Sequence, residues 1–141
     1  MQRVVLDVNV IVSAAIRPSG PPGRIVSAWR RSELVVITSQ VILEKLDDVL
    51  HRQHIADVST MDETDIQNLQ TLFQEEAILT PHALDLHVVK KDPEDDKFII
   101  AAIEGQADCI VSGDAHLKDM ETYQGIPILA PAEFVTQYNI P

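Results

Sequence analysis

The sequence predicts an α/β fold, in which a parallel sheet carries helices on both faces within one domain spanning residues 1–141. Short apolar runs of strand length alternate along the chain with stretches whose apolar residues recur at helical spacing. The chain is 45% hydrophobic but only 4% aromatic, so its core is expected to consist mainly of Val, Ile, Leu and Ala. A sheet of this kind carries its functional site at the carboxyl ends of its strands.

Five apolar runs have the length and composition of strands. The first is expected to be buried because it is apolar throughout. The last is expected at the edge of the sheet, since Pro127 has no backbone N–H to donate to a neighbouring strand. The predicted strands are residues 4–6, 34–38, 86–89, 108–112 and 126–129.

Helices are predicted from apolar spacing and from residues that favour helix ends. Thr60 or Asp62 caps one helix, and Asp92 caps another that has Pro93 at its first position. The helix after Asp92 is apolar on every side, which indicates that it is buried. A loop rich in Pro and Gly is expected at residues 17–23. The predicted helices lie within residues 24–31, 39–50, 60–77, 92–104, 115–120 and 131–138.

The charge balance argues against binding nucleic acid by long-range attraction alone. The chain has 22 Asp and Glu residues against 11 Lys and Arg, which gives a formal net charge of −11. A surface of this sign repels polyphosphates, although bound divalent cations would offset several charges locally. An acidic surface also suits a basic protein partner.

The sequence predicts a cytoplasmic protein without membrane attachment. Cys109 is the only cysteine, lies in an apolar run and cannot form an internal disulfide, which fits a reducing compartment. No signal peptide is visible, and no uncharged segment is long enough to span a bilayer.

Four carboxylates stand where a predicted strand ends or a helix begins. Asp7 follows the first strand, and Glu44 lies near the start of the helix after the second. Asp96 stands one turn before the inner face of the buried helix, and Asp114 follows the strand of residues 108–112. Because the ends of parallel strands converge on one crevice, we expect these carboxylates to meet there. Several bare carboxylates repel one another unless a cation binds, so the pattern predicts a divalent-metal site.

Each of these positions also has a structural interpretation. Asp7 could cap the turn that follows it, and Glu44 could be a surface residue favoured by the helix dipole. Asn9 lies on the same side as Asp7 and could either orient it or form a plain turn. Asp92 and Asp95 are interpreted as a helix cap and its partner three residues later, rather than as metal ligands.

The remaining polar residues favour Mg²⁺ or Mn²⁺ over zinc. The histidines show no ligand spacing with one another or with the cysteine, which makes a zinc site improbable. An all-oxygen ligand set suits Mg²⁺ or Mn²⁺. Ser112, two residues before Asp114, could hydrogen-bond the metal site or a phosphate. The histidines are His51, His54, His82, His87 and His116.

The ordered set of motifs resembles the PIN-domain ribonucleases and, more narrowly, the toxin components of PIN-type, VapC-like toxin–antitoxin pairs. The matching stretches are residues 4–14, 39–44, 92–102 and 108–114, which together extend over nearly the whole chain. The resemblance implies a three-layer α/β/α sandwich with a parallel sheet of four or five strands.

The resemblance also implies an activity and its partners. The implied reaction is metal-dependent hydrolysis of RNA phosphodiester bonds by one or two Mg²⁺ or Mn²⁺ ions. The implied partners are RNA, a small antitoxin protein and further copies of the chain in a homo-oligomer, a dimer or larger. Val8 stands where the family usually has Thr, and Ser112 where Thr is commoner, so the departures affect supporting groups only. The implied metal-binding and catalytic residues are Asp7, Glu44, Asp96 and Asp114, supported by Asn9 and Ser112.

Two other functions are compatible with parts of the pattern. A haloacid-dehalogenase-like phosphatase also begins with an Asp after a strand and has a late Gly-Asp pair, as at residues 113–114. That family usually needs a second Asp where this chain has Asn9. A non-catalytic module of the PIN fold, binding RNA or protein, would not need the complete set of acids.

Overall fold

The frame of the molecule is a six-stranded sheet with helices on both sides. The structure is a computed structural model that describes residues 1–141, apart from the side chains of residues 53 and 54. The strands are β1 (Gln2–Leu6), β2 (Leu34–Ser39), β3 (Ile78–Thr80), β4 (Cys109–Val111), β5 (Thr122–Tyr123) and β6 (Ile126–Leu129). Their spatial order is β3-β2-β1-β4-β6-β5, and only β5 runs antiparallel to its neighbour. The predicted α/β class with a mainly parallel sheet is confirmed.

Helices connect the strands and cover both faces of the sheet. None of the helices in the described part of the chain is long and apolar enough to cross a membrane. A short 3-10 helix, Pro93–Asp95, leads directly into the sixth helix. The helices are α1 (Val8–Ile16), α2 (Pro21–Arg30), α3 (Gln40–Leu50), α4 (Gln53–Val58), α5 (Glu63–Glu76), α6 (Asp96–Glu104), α7 (Ala115–Lys118) and α8 (Pro131–Gln137).

The core lies around the central strand β1. Val4 and Val5 of β1 are fully buried, as is Ile110 of β4. Helix α6 packs across β1, β2 and β4, and its Ile99 and Ala102 are fully buried, as the all-round apolar sequence of this helix predicts. Each fully buried branched side chain stabilises the fold by roughly 1.5–3 kcal/mol relative to an exposed one.

The strand order places a switch point between β1 and β4. From β1 the chain moves outward to β2 and β3, and it later returns to the other side of β1 to form β4. Leu6 is paired in register with Val111, and the backbone N–H of Asp7 donates to the carbonyl of Val111 over 3.1 Å. The residues that follow β1 and β4 therefore open side by side, where ligands bind in sheets of this kind.

One predicted strand is wrong. Residues 86–89 form no strand, and the strand at the far edge of the sheet is β3, which pairs with β2 from Ile37↔Ile78 onward. The backbone N–H groups of Val88 and Val89 donate instead to the side chain of Asp96, over 3.0 and 2.8 Å. A side-chain acceptor has replaced a strand partner for this apolar segment.

Two local expectations also differ from the structure. The expected loop at residues 17–23 is shorter, because Pro21 already begins α2, where a proline at the first turn loses no hydrogen bond. Strand β6 is not the outermost strand, since Pro127 is paired with Thr122 of β5. Asp62, of the two candidates, caps α5 through a capping box with Asp65.

Candidate metal centre

Asp7 lies buried at the carboxyl end of β1, where it begins α1. Only 3% of its surface is exposed. Its Oδ1 accepts a hydrogen bond of 2.9 Å from the backbone N–H of Val10, and its Oδ2 accepts one from Oγ of Ser112. Burial raises the pKa of Asp7, while these hydrogen bonds oppose the rise because they favour the charged form. Asp7 therefore caps a helix and also forms a fixed part of the crevice wall.

Ser112 joins Asp7 to a second acid, Asp114. Ser112 is fully buried at the end of β4, and its Oγ accepts a hydrogen bond of 2.9 Å from the backbone N–H of Asp114. Asp114 caps α7, since its Oδ1 accepts from the backbone N–H of His116 over 2.7 Å. The Nδ1 atom of the His116 ring lies 3.8 Å from the same Oδ1. One buried hydroxyl thus sets the positions of two carboxylates that come from neighbouring strands.

Further acids come from the 3-10 helix that precedes α6. Asp92 begins this helix, and its Oδ1 accepts from the backbone N–H of Glu94 over 3.1 Å. Asp95 ends it and is 8% exposed, yet its Oδ2 has no hydrogen-bond partner among the described residues. Burial, followed by the charges of three other acids of the crevice, raises the pKa of Asp95 from 3.8 to about 7. Asp95 is therefore a buried carboxyl whose Oδ2 lacks a hydrogen-bond partner among the residues that the structure describes.

Four possible ligands come together at this point. One ligand atom from each of Asp92, Asp95, Asp114 and His116 lies within 4.8 Å of the others. Carboxylates this close repel one another, and a cation removes both the repulsion and the cost of burying Asp95. Carboxylate oxygens suit Mg²⁺ and Mn²⁺. The donors and the unpartnered Oδ2 of Asp95 therefore fit a divalent metal ion.

The crevice in front of these acids has one basic wall. Its volume is about 170 Å³, and it is bordered by Lys45 and Val49 on one face of helix α3 and by Arg52, which immediately precedes α4. Lys97 of α6 also borders the crevice, and its Nζ lies 3.2 Å from a carboxylate oxygen of Glu94. The strand ends supply negative charge, whereas α3 supplies positive charge.

The structure does not bring Asp96 to the crevice. Its side chain is buried on α6, where Oδ1 accepts from the backbone N–H groups of Val88 and Val89. The carboxylate that borders the crevice belongs instead to its neighbour Asp95, and the metal-binding role of Asp96 stays an untested prediction. The interpretation of Asp95 as merely the partner of a cap is corrected, since its side chain makes no cap hydrogen bond.

Glu44 is likewise absent from the crevice. It is exposed on α3, and the residue that borders the crevice is its neighbour, Lys45. Asp7, Asn9 and Asp114 do border the crevice, and the binding of metal by these residues stays a prediction.

Sequence patterns gave only weak signals for the residues that were missed. Asp95 and Asp96 are adjacent, and the 3-10 helix before α6 rotates the first of them toward the strand ends. His116 joins the cluster because it stands two residues after Asp114, inside the same short helix. Spacing among histidines could not reveal this, since the other ligands are acids. The side chain of His54 lies outside the described residues.

Comparison with known proteins finds a family profile and a relative of similar length. The sequence profile of the PIN domain matches residues 3–116, a range that includes the whole acidic crevice. The uncharacterized protein MJ1680 of Methanocaldococcus jannaschii is 28% identical to this chain, over 97% of this chain and 92% of that protein.

Proposed function

Because the chain belongs to the PIN domain family, we propose that it is a metal-dependent ribonuclease that hydrolyses RNA phosphodiester bonds. The observation that supports this most strongly is the buried carboxyl of Asp95, whose Oδ2 lacks a partner among the described residues. It lies beside Asp92, Asp114 and His116. A buried charge without a partner is costly, and a divalent ion at this point would compensate it.

The residues of the crevice divide the work. Asp92, Asp95 and Asp114 would hold a Mg²⁺ or Mn²⁺ ion. When bound, such an ion supplies a water of lowered pKa and stabilises negative charge on a phosphate. Asp7 and Ser112 act mainly by position, since Oγ of Ser112 donates to Asp7 and accepts from the backbone N–H of Asp114, which fixes Asp114 after β4. Removing this support would misplace a ligand without removing it.

RNA would approach from the exposed side of the crevice. Asn9 is exposed at its rim, where its amide offers both a donor and an acceptor to a ribose or a phosphate. The buried side is closed by the core residues of β1 and β4.

The proposal is tested by cleavage of a labelled single-stranded RNA with and without Mn²⁺. We expect Mn²⁺-dependent cleavage by the natural protein, and a loss of about 100-fold or more in Asp95→Asn, since a metal ligand supplies several kcal/mol of transition-state stabilisation. Asp48→Asn, which removes an exposed carboxylate outside the crevice, should leave the rate unchanged.

Unchanged cleavage in Asp95→Asn would contradict the proposed site. A protein that binds the RNA equally with and without Mn²⁺ and never cleaves it would instead be the non-catalytic module. The family membership gives no support to the phosphatase alternative.

We further propose that the ribonuclease is the toxin of a toxin–antitoxin pair and acts in the cytoplasm. The net charge of −11 favours a basic antitoxin, from which a basic side chain could enter the acidic crevice. Expression alone should arrest growth, and Asp95→Asn should relieve the arrest. Co-expression of the antitoxin from the neighbouring reading frame should also relieve the arrest. Absence of any growth arrest on expression would contradict the toxin role. A homo-oligomer, proposed from the family resemblance, is tested by light scattering of the purified protein.

A further inference from the structure

The α3 wall of the crevice carries an uncommitted cation. Lys45 is half-buried and borders the crevice together with Asp7, Asp95 and Asp114. Its ammonium group makes no ion pair or hydrogen bond with the part of the chain that the structure describes. Lys97, the other lysine of the crevice, is engaged with Glu94 at 3.2 Å. Lys45 is therefore free to meet a ligand.

All the acids of the crevice come from the other walls. They follow β1, follow β4 or belong to residues 92–95, whereas α3 contributes Lys45 and Val49, and Arg52 lies between α3 and α4. The hydrogen bond from Lys97, then the charge of Lys97 and then that of Lys45 lower the pKa of Glu94, so the charge of Lys45 reaches this acid. The carboxylates of α3 do not line the crevice, so a metal ion on the α3 side would meet Lys45, which would repel it.

Resting on the proposed function, we propose that Lys45 is the phosphate-positioning residue of the crevice and that its ammonium limits the site to a single divalent ion. Lys45 would donate to a non-bridging oxygen of the scissile phosphate, while the ion lies among Asp92, Asp95 and Asp114. Arg52, which immediately precedes α4 and also borders the crevice, would contact an adjacent phosphate.

The chemistry of phosphate hydrolysis explains why one cation can replace another here. In sites with two metal ions, the pair stabilises the attacking and the leaving oxygen. An ammonium group supplies one positive charge with three donors, and it needs no carboxylate ligands of its own. With Lys45 in place, the crevice would bring one ion and one fixed cation to the substrate.

Two measurements that need no turnover test this proposal. The first counts Mn²⁺ ions per chain by calorimetric titration. The second measures binding of a fluorescent, non-cleavable 2′-O-methyl single-stranded oligonucleotide in the presence of Mn²⁺. The variants are Lys45→Gln and Lys45→Glu, with Lys90→Gln and Lys90→Glu as matched controls, because Lys90 is exposed and does not border the crevice. Circular dichroism checks that each variant is folded.

We expect the natural protein to bind about one Mn²⁺, and we expect Lys45→Gln to keep that ion. The oligonucleotide affinity of Lys45→Gln should fall about tenfold, because the variant loses one charge-assisted hydrogen bond. Lys45→Glu should bind about two Mn²⁺, since it adds a carboxylate ligand where there was a cation. Both Lys90 variants should behave as the natural protein does.

The failures are distinguishable. The role of Lys45 would be overturned if the natural protein bound two Mn²⁺ ions. It would also be overturned if Lys45→Gln bound the oligonucleotide as tightly as Lys90→Gln does. Either result would leave the ribonuclease proposal standing. Absence of Mn²⁺ binding in the natural protein would overturn both. If Lys45→Glu does not fold, the ion count of the natural protein and the Lys45→Gln comparison decide the matter.

Discussion

Replacing Asp95 with Asn should stabilise the metal-free protein at alkaline pH. Asp95 is a buried acid whose pKa rises from 3.8 to about 7, mainly through burial and then through the neighbouring acids. In the folded protein it therefore holds its proton over a range of pH in which the unfolded chain has already released it. Stability linked to Asp95 is fully present below the unfolded pKa and is lost as the pH rises toward the folded pKa.

The magnitude follows from the interval between the two pKa values. Each pH unit over which the folded state alone holds the proton costs about 1.4 kcal/mol of unfolding free energy. Between pH 5 and pH 8 the folded carboxyl with a pKa of about 7 holds its proton for about two of those units, so the loss is roughly 2–3 kcal/mol. The raised pKa of Asp7 adds a loss of the same sign in both proteins.

Urea unfolding in EDTA, at about pH 5 and about pH 8, measures the effect. The natural protein should lose stability across this interval, and Asp95→Asn should lose roughly 2–3 kcal/mol less. His51, whose pKa is raised by its contacts with Asp47 and Glu63, also titrates here but cancels in the comparison. Asp48→Asn should follow the natural protein. Equal pH dependence in the natural protein and in Asp95→Asn would refute the reasoning.

Three further substitutions test separate parts of the structure. Asp96→Ala should lower the unfolding free energy by about 1–3 kcal/mol, because two backbone N–H groups lose their acceptor, while Mn²⁺ affinity in calorimetry stays within about threefold. Ser112→Ala should weaken Mn²⁺ binding about tenfold or more, since it releases both Asp7 and Asp114. An unaltered Mn²⁺ affinity would argue against this positioning. Gly23→Ala should lower the unfolding free energy by roughly 1–3 kcal/mol, which thermal unfolding would detect as a lower midpoint, because a Cβ there collides with the backbone of Pro18.

The sequence was sufficient to predict the central strands of the sheet and the crevice at their carboxyl ends. The apolar runs that end at Asp7 and just before Asp114 predict buried parallel strands whose carboxyl ends meet at one crevice. The structure pairs these two strands directly, as β1 and β4. Residues 86–89 are as rich in strand-forming residues as the runs that do form strands. Their composition does not show that Asp96 will accept the hydrogen bonds of their backbone. Hydrogen bonds to the side chain of Asp96 take the place of strand pairing in that segment.

The individual ligands could not be chosen from spacing alone. Asp95 and Asp96 are adjacent, and periodicity along α6 favours Asp96 only if the helix begins before both. The 3-10 helix ends at Asp95 and changes the rotation between them. In the same way, Glu44 and Lys45 are adjacent on α3, and their side chains point in directions about 100° apart around the helix. Only Lys45 of the two borders the crevice.

The most direct test of the acidic crevice is a Mn²⁺ titration of Asp95→Asn against Asp96→Asn. Both variants remove one charge from adjacent residues, and both keep an oxygen that can accept hydrogen bonds. We predict that Asp95→Asn weakens Mn²⁺ binding by about tenfold or more, whereas Asp96→Asn changes it by less than about threefold. The reverse order, with Mn²⁺ binding lost in Asp96→Asn and retained in Asp95→Asn, would contradict the assignment of the site.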